Sequence, residues 1–256
     1  MKITVLGCGG SGGVPLIGGH WGSCNPHNPK NRRRRVSVLV EEGDTNILVD
    51  FGPDVRVQLL DAQVSKLDAV LATHGHADHT FGIDDLRRLY WVNNNTPVPL
   101  YARQVDMDEL QYRFDYAFKP FLYGAAPLPP FDCHILDVKP FRIGDITITP
   151  FVQDHGPVTS LGFRFNDFAY STDIRAMSEE NFATLAGIKV WVVDAIREEP
   201  GHKAHSYLAQ TLEWIGRVKP QQAYLTHMDI HMDYDAILAK CPPGVEPAYD
   251  GLEIIL

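Results

Sequence analysis

Between positions 73 and 79 the chain reads Thr73-His74-Gly75-His76-Ala77-Asp78-His79, so three imidazoles and a carboxylate fall within six residues. His74 and His76 are two positions apart and face the same way in extended backbone. Asp78 and His79 are adjacent, and reach a second centre if the chain turns there toward a helix near Gly82. A packed core would have to satisfy every ring nitrogen, and histidine is only moderately buried as a class. Metal ligation is the chemistry these side chains share. Imidazoles with carboxylates suit zinc best, and manganese or iron is also compatible.

One segment cannot complete two metal centres. Further ligands are expected where apolar runs end, and three residues meet that condition. His155 follows the run 146–153, Asp173 closes 168–173, and His227 closes 222–227. Each alone reads as a hydrogen-bonded surface residue, cap or turn. Their common location makes them a set. Two metals joined by a carboxylate acidify a shared water and stabilise charge on substrate oxygens. Asp78 is placed to orient that water or accept its proton.

These residues need a scaffold of strand ends. β-branched runs at 36–41, 45–51, 68–73, 146–153, 160–165, 168–173, 189–195, 222–227 and 252–256 read as strands, as does the apolar start of the chain. Glu42-Gly43-Asp44 and Asn166-Asp167 read as hairpin turns. Helical patterns cover 54–61, 82–91, 178–186 and 206–218, with Ser178 as N-cap ahead of Glu179 and Glu180. Hairpins dominate the first third and strand–helix alternation follows. The fold class expected is α/β, a four-layer αββα sandwich. The segment 119–130, KPFLYGAAPLPP, reads as a loop. Its Phe121, Leu122 and Tyr123 either border the cleft as a lid over a substrate ring or fill a satellite core.

The bulk numbers narrow the partners. A chain of 256 residues fits one large domain, 1–256. Its net charge of −9 gives no general attraction for nucleic acid or an anionic membrane. No apolar stretch reaches the length of a membrane span, and the N-terminal run is too short for a signal peptide. Cys8, Cys24, Cys133 and Cys241 are widely spaced, which argues against a disulfide framework and for a cytoplasmic location.

The stretch His74-Gly75-His76-Ala77-Asp78-His79 resembles the HxHxDH signature of the metallo-β-lactamase superfamily, and His155, Asp173 and His227 fall in its later motifs. The resemblance covers nearly the whole chain. It implies the metallo-β-lactamase type of αββα sandwich and two divalent metal ions. By it, His74, His76 and His155 hold one ion, Asp78, His79 and His227 hold the second, and Asp173 bridges them. Asp50, in Leu48-Val49-Asp50-Phe51-Gly52, corresponds to an aspartate that supports the histidine loop by hydrogen bonds.

The opening Gly7-Cys8-Gly9-Gly10-Ser11-Gly12-Gly13-Val14-Pro15 resembles the N-terminal loop of PhnP-like cyclic phosphodiesterases and of tRNase Z. His205, in Gly201-His202-Lys203-Ala204-His205-Ser206, matches the non-ligand histidine of those enzymes and is expected to protonate the leaving oxygen; His202 matches less well. The resemblance implies a phosphodiesterase acting on a small cyclic or nucleotide-type phosphate ester. Its alternatives are tRNA 3′ processing, lactone or thioester hydrolysis, and a catalytically silent protein like PqqB. The expected partner is a small phosphate ester, with a homodimer left open. Arg32 to Arg35 could clamp an anion, or form a solvated charge run. The structural zinc of PhnP-like proteins rests on a cysteine cluster, whereas this chain offers only Cys24 and His27 there, with His231 and Cys8 as further candidates.

Overall fold

The computed structural model describes residues 1–121 and 128–256. In chain order the strands are β1 (Lys2–Gly7), β2 (Ser37–Glu42), β3 (Thr45–Val49), β4 (Ala69–Leu71), β5 (Val98–Ala102), β6 (Phe131–Ile135), β7 (Phe141–Ile143), β8 (Ile146–His155), β9 (Val158–Phe165), β10 (Phe168–Ser171), β11 (Val190–Asp194), β12 (Gln222–Thr226), β13 (Val245–Pro247) and β14 (Leu252–Ile255). The helices are α1 (Val55–Asp61), α2 (Ala77–Thr80), α3 (Ile83–Leu86), α4 (Leu89–Val92), α5 (Gln104–Arg113), α6 (Glu179–Leu185), α7 (Leu208–Val218) and α8 (Tyr234–Leu238).

The strands form two seven-stranded sheets, ordered β14-β1-β2-β3-β4-β5-β6 and β13-β12-β11-β10-β9-β8-β7. Each is built alike. The pairs from β14 through β3 and from β7 through β10 are antiparallel; those from β3 through β6 and from β10 through β13 are parallel. Alternation along the strands makes the layers. In the first sheet Ile3, Val5, Val38, Val40, Ile47 and Val49 join the core that includes the second sheet. Leu6, Leu39, Leu48 and Val70 face the other way, onto residues of α1, α3, α4 and α5. Residues of α6 and α7 join the larger core. The αββα sandwich read from the sequence is therefore the fold.

The strands stop short of the sequence reading at the positions of interest. The expected strands 45–51, 168–173 and 222–227 include Asp50, Asp173 and His227, but each of these residues lies beyond the strand, at φ of 63°, 55° and 57°. A left-handed residue cannot continue a ladder, so it ends the strand and turns its side chain aside. The helical pattern 82–91 divides into α3 and α4 around Arg87 and Arg88. The pattern 206–218 starts later, at Leu208, because Ser206 donates its hydroxyl to the Asp194 carbonyl instead (2.7 Å). Ser178 does cap α6, accepting from the Asn181 N–H (3.2 Å). Both hairpin turns are present, with Gly43 and Asn166 at positive φ. Of the 119–130 segment, Phe121 packs on Trp91 and Tyr90, with ring centroids 4.2 and 5.9 Å apart, as a satellite-core aromatic would. Leu122 and Tyr123 lie outside the described residues.

Candidate metal centre

His74 and His76 leave the end of β4, with Asp78 and His79 on the first turn of α2. The turn docks because Gly52, following β3, has no side chain: a Cβ there would stand 1.9 Å from the Asp78 carbonyl oxygen. Asp50 fixes the loop from below. Fully buried, it accepts from the Thr73 N–H (2.9 Å) and hydroxyl (3.0 Å) and pairs with His79 Nδ1 (2.7 Å). Burial pushes its carboxyl up, and His79 with Thr73 opposes that. The Nδ1 contact leaves His79 Nε2 as the atom facing the cluster.

His155 ends β8 and binds the Ala204 carbonyl through Nδ1 (2.8 Å), which leaves its Nε2 free. That Nε2 lies 3.3 Å from His76 Nδ1 and 3.3 Å from Asp173 Oδ1. His74 Nε2 is 3.8 Å from the same oxygen. On the other side, Asp173 Oδ2 stands 3.1 Å from His79 Nε2 and 3.4 Å from His227 Nε2. Asp78 Oδ2 faces both rings, at 3.5 and 3.6 Å. The two oxygens of Asp173 thus face two different sets of donors. All seven residues singled out by sequence as ligands come together.

The donors fit divalent cations. His74 Nε2, His79 Nε2 and both ring nitrogens of His227 are buried without a hydrogen-bond partner. Leaving such atoms orphaned costs about 1–3 kcal/mol each, and a coordinated ion removes that cost. His74, His76, His155 and Asp173 offer atoms within 4.8 Å of one another, as do Asp78, His79 and His227. His76 is the exposed member and marks the mouth. Burial favours neutral His74 and His155, the forms that ligate. Burial likewise disfavours charge on His227, but Asp173, Asp78 and Asp194 reverse it and raise the ring to about 9. The same kind of pairing holds Asp78 well below the usual carboxylate range: burial opposes ionisation, and His79 with His227 outweighs it.

His205 belongs to the same cluster. Its Nδ1 lies 2.7 Å from Asp194 Oδ2, and its Nε2 lies 3.6 Å from Asp173 Oδ1. The ring stacks on His227, centroids 4.4 Å apart at 17°. Asp194, fully buried at the end of β11, also accepts from the Ile174 N–H (3.1 Å). The sequence reading passed over Asp194, although its signal is that of Asp50: an apolar strand, Val190-Trp191-Val192-Val193, closed by aspartate. Gly156 lets this segment approach the β8–β9 turn, since a Cβ there would stand 2.5 Å from the Lys203 carbonyl oxygen.

The arginine run does not form a clamp. Arg33 is buried and donates to the Met232 (2.7 Å) and Asp229 (3.4 Å) carbonyls and toward Cys24 Sγ (3.8 Å). Arg34 pairs with Asp61 (2.5 Å), Arg35 with Asp54 (3.1 Å), and Arg32 lies over Trp21 (5.4 Å). The run fastens the N-terminal loop to its surroundings. Cys24, His27 and His231 form no ligand group among the described residues. No described helix is long and apolar enough to cross a membrane.

Comparison with known proteins agrees with this geometry. Residues 45–228 match the Beta-lactamase superfamily domain. A crystal structure described as a new diphosphatase from the PhnP family is 32% identical, superposes with a TM-score of 0.91, and aligns over 99% of this chain and 96% of that one. An octanoyltransferase of Porphyromonas gingivalis is 32% identical over 258 residues, covering 100% of this chain and 52% of that protein. A ribonuclease Z of Bradyrhizobium sp. is 29% identical over 163 residues, covering 62% of this chain and 51% of that protein. The chain thus spans about half the length of these two curated relatives. With the sandwich, the HxHxDH loop and these matches in agreement, the chain belongs to the β-lactamase superfamily, with the metallo-β-lactamase fold and a full-length likeness to the PhnP family.

Proposed function

We propose that this metallo-hydrolase is a phosphodiesterase acting on a small cyclic or nucleotide-type phosphate ester. The observation that carries the reading is His205, held by Asp194 at the edge of the Asp173-centred cluster. His74, His76 and His155 form one proposed metal site, Asp78, His79 and His227 the other, and Asp173 serves both. Two divalent ions, zinc by preference, supply Lewis acidity and an acidified water there. Asp78, 14% exposed between His79 and His227, orients the attacking water and accepts its proton. His205 donates toward the leaving oxygen. It can do so with both nitrogens protonated: Asp194 receives the Nδ1 hydrogen, and Nε2 offers the other to the substrate. Hydrolysis of a thioester, whose thiolate leaves readily, needs the ions but has less use for this donor. The likeness to a PhnP-family diphosphatase supports phosphorus chemistry.

A second reading rests on the octanoyltransferase relative, whose name concerns acyl chemistry. Metal-loaded enzyme offered bis-p-nitrophenyl phosphate and p-nitrophenyl octanoate in parallel separates the two. The phosphodiester is expected to turn over with the higher kcat/KM. Preference for the octanoate would replace the proposal with acyl-ester hydrolysis.

A further inference from the structure

Four histidines of the cluster are oriented through a ring nitrogen. His74 Nδ1 lies 3.0 Å from the Thr73 hydroxyl, His79 Nδ1 2.7 Å from Asp50, His155 Nδ1 2.8 Å from the Ala204 carbonyl, and His205 Nδ1 2.7 Å from Asp194. A fifth, His227, is buried and stacked on His79 and His205. His76 differs. It is exposed, and the one polar contact of its ring among the described residues is with another member of the cluster, His155 Nε2 at 3.3 Å. An imidazole with no acceptor behind it must be aimed by its backbone.

That backbone is held on both sides. The His76 carbonyl accepts from the Thr80 hydroxyl (2.8 Å) and the His79 N–H (3.1 Å). The preceding carbonyl, on buried Gly75, accepts from Arg113 Nη1 (2.6 Å). One rigid peptide plane contains the Gly75 carbonyl and the His76 Cα. Fixing that oxygen fixes the plane from which the His76 side chain leaves.

Arg113 closes α5, and Glu109 one turn earlier pairs with its Nη2. The planar guanidinium therefore spans a carboxylate and a carbonyl at once. Gly75 makes room for this: a Cβ there would run into the Glu109 carboxylate and stand 3.6 Å from Asp106 Oδ1. The guanidinium also lies 5.7 Å from the centre of the Phe81 ring. The start of α5 is fastened to the second sheet. Arg103 pairs with Asp106 (2.6 Å) and donates to the Thr159 hydroxyl (2.6 Å) and carbonyl (2.7 Å). Thr159 follows Val158, the partner of His155 in the β8–β9 ladder. Helix α5 and its cap thus reach both chain segments that supply His74, His76 and His155. Among the described residues, the hydrogen bonds of α5 to the histidine loop stop at Gly75.

Resting on the two-metal reading above, we propose that Arg113 is a positioning residue for His76: through the Gly75 carbonyl it aims that ring at the site shared with His74 and His155. Its influence falls on one of the two metal sites and leaves the Asp78, His79 and His227 site alone.

Zinc affinity, measured by competition with a chelator, tests this without relying on turnover. The wild-type protein should bind two ions. Arg113→Met, which keeps an unbranched stem beside Phe81, should weaken one ion about 10–100-fold and leave the other unchanged. Arg113→Lys, which restores a donor for the carbonyl, should recover most of the loss. His76→Ala should also weaken one ion, and adding Arg113→Met to it should cost nothing more, because the arginine acts through the ring already removed. Unchanged affinity in Arg113→Met, equal weakening of both ions, or additive losses in the double variant would overturn the inference. A wild-type protein that binds fewer than two ions would instead remove the metal reading on which it rests, and the inference with it.

Discussion

Side chains proposed to hold metal and the histidine proposed to move a proton should respond differently to substitution. His205→Ala should keep its fold and metal content. Its turnover of 2′,3′-cyclic AMP, whose alkoxide leaves poorly, should fall by about 10²–10⁴-fold. Turnover of bis-p-nitrophenyl phosphate, whose p-nitrophenolate leaves readily, should fall much less. Equal losses would make His205 a phosphate-positioning residue, and lost metal would make it a ligand. Asp50 gives a different signature. It touches His79 and Thr73 rather than the ligand atoms' common centre, so Asp50→Ala should lower metal affinity by about 10–100-fold. Competition with a chelator measures this directly, and an unchanged affinity would contradict the supporting role. The seven clustered residues were legible because histidines and carboxylates at such spacing have few structural explanations. Asp194 offered the same signal as Asp50, an aspartate closing an apolar strand, but its meaning comes from the His205 ring that the fold sets beside it.

The elements position these residues through strand ends and close backbone approaches. Gly52 is the sharpest case. Gly52→Ala would drive a methyl into the Asp78 carbonyl, so it should shift α2, impair metal binding and destabilise the fold by several kcal/mol (roughly 1–3 or more). Gly216, exposed within α7, has nothing within 4 Å of a Cβ. Gly216→Ala should stabilise by about 0.5–1 kcal/mol. Thermal melts of both variants check the contrast, and a similar response from the two would undermine the close-approach argument. Element types at 45–51 or 222–227 were readable from apolar β-branched runs. Their ends were not, because left-handed φ at Asp50, Asp173 and His227 is set by the site. β5 escaped because Val98-Pro99-Leu100 carries a proline, which ordinarily argues against an interior strand. β13 is three residues long and offers no periodicity to read.

Across the whole molecule, the two sheets repeat one arrangement, with three antiparallel pairings followed by three parallel ones. The histidine and aspartate cluster lies where the strand ends of both sheets meet. Asp250 joins distant parts of the chain, accepting from the Cys8 N–H (3.2 Å) and the Arg34 N–H (2.8 Å). Burial raises its carboxyl from 3.8 to about 6. The folded state therefore holds that proton more tightly than the unfolded chain does. The associated stability is full below about 3.8 and is lost as pH rises through about 6. Relative to Asp250→Asn, wild-type stability should fall by about 1–2 kcal/mol between about pH 4 and pH 7. Taking the difference cancels the titration of the metal ligands. A constant or rising difference from denaturant melts would contradict the assignment.

Titrating metal-free protein with zinc or manganese while following bis-p-nitrophenyl phosphate hydrolysis tests the proposed two-metal phosphodiester hydrolysis. Turnover should rise until two equivalents are bound per chain, with both sites needed for full activity. Saturation at one equivalent, or no hydrolysis by protein carrying two, would contradict it.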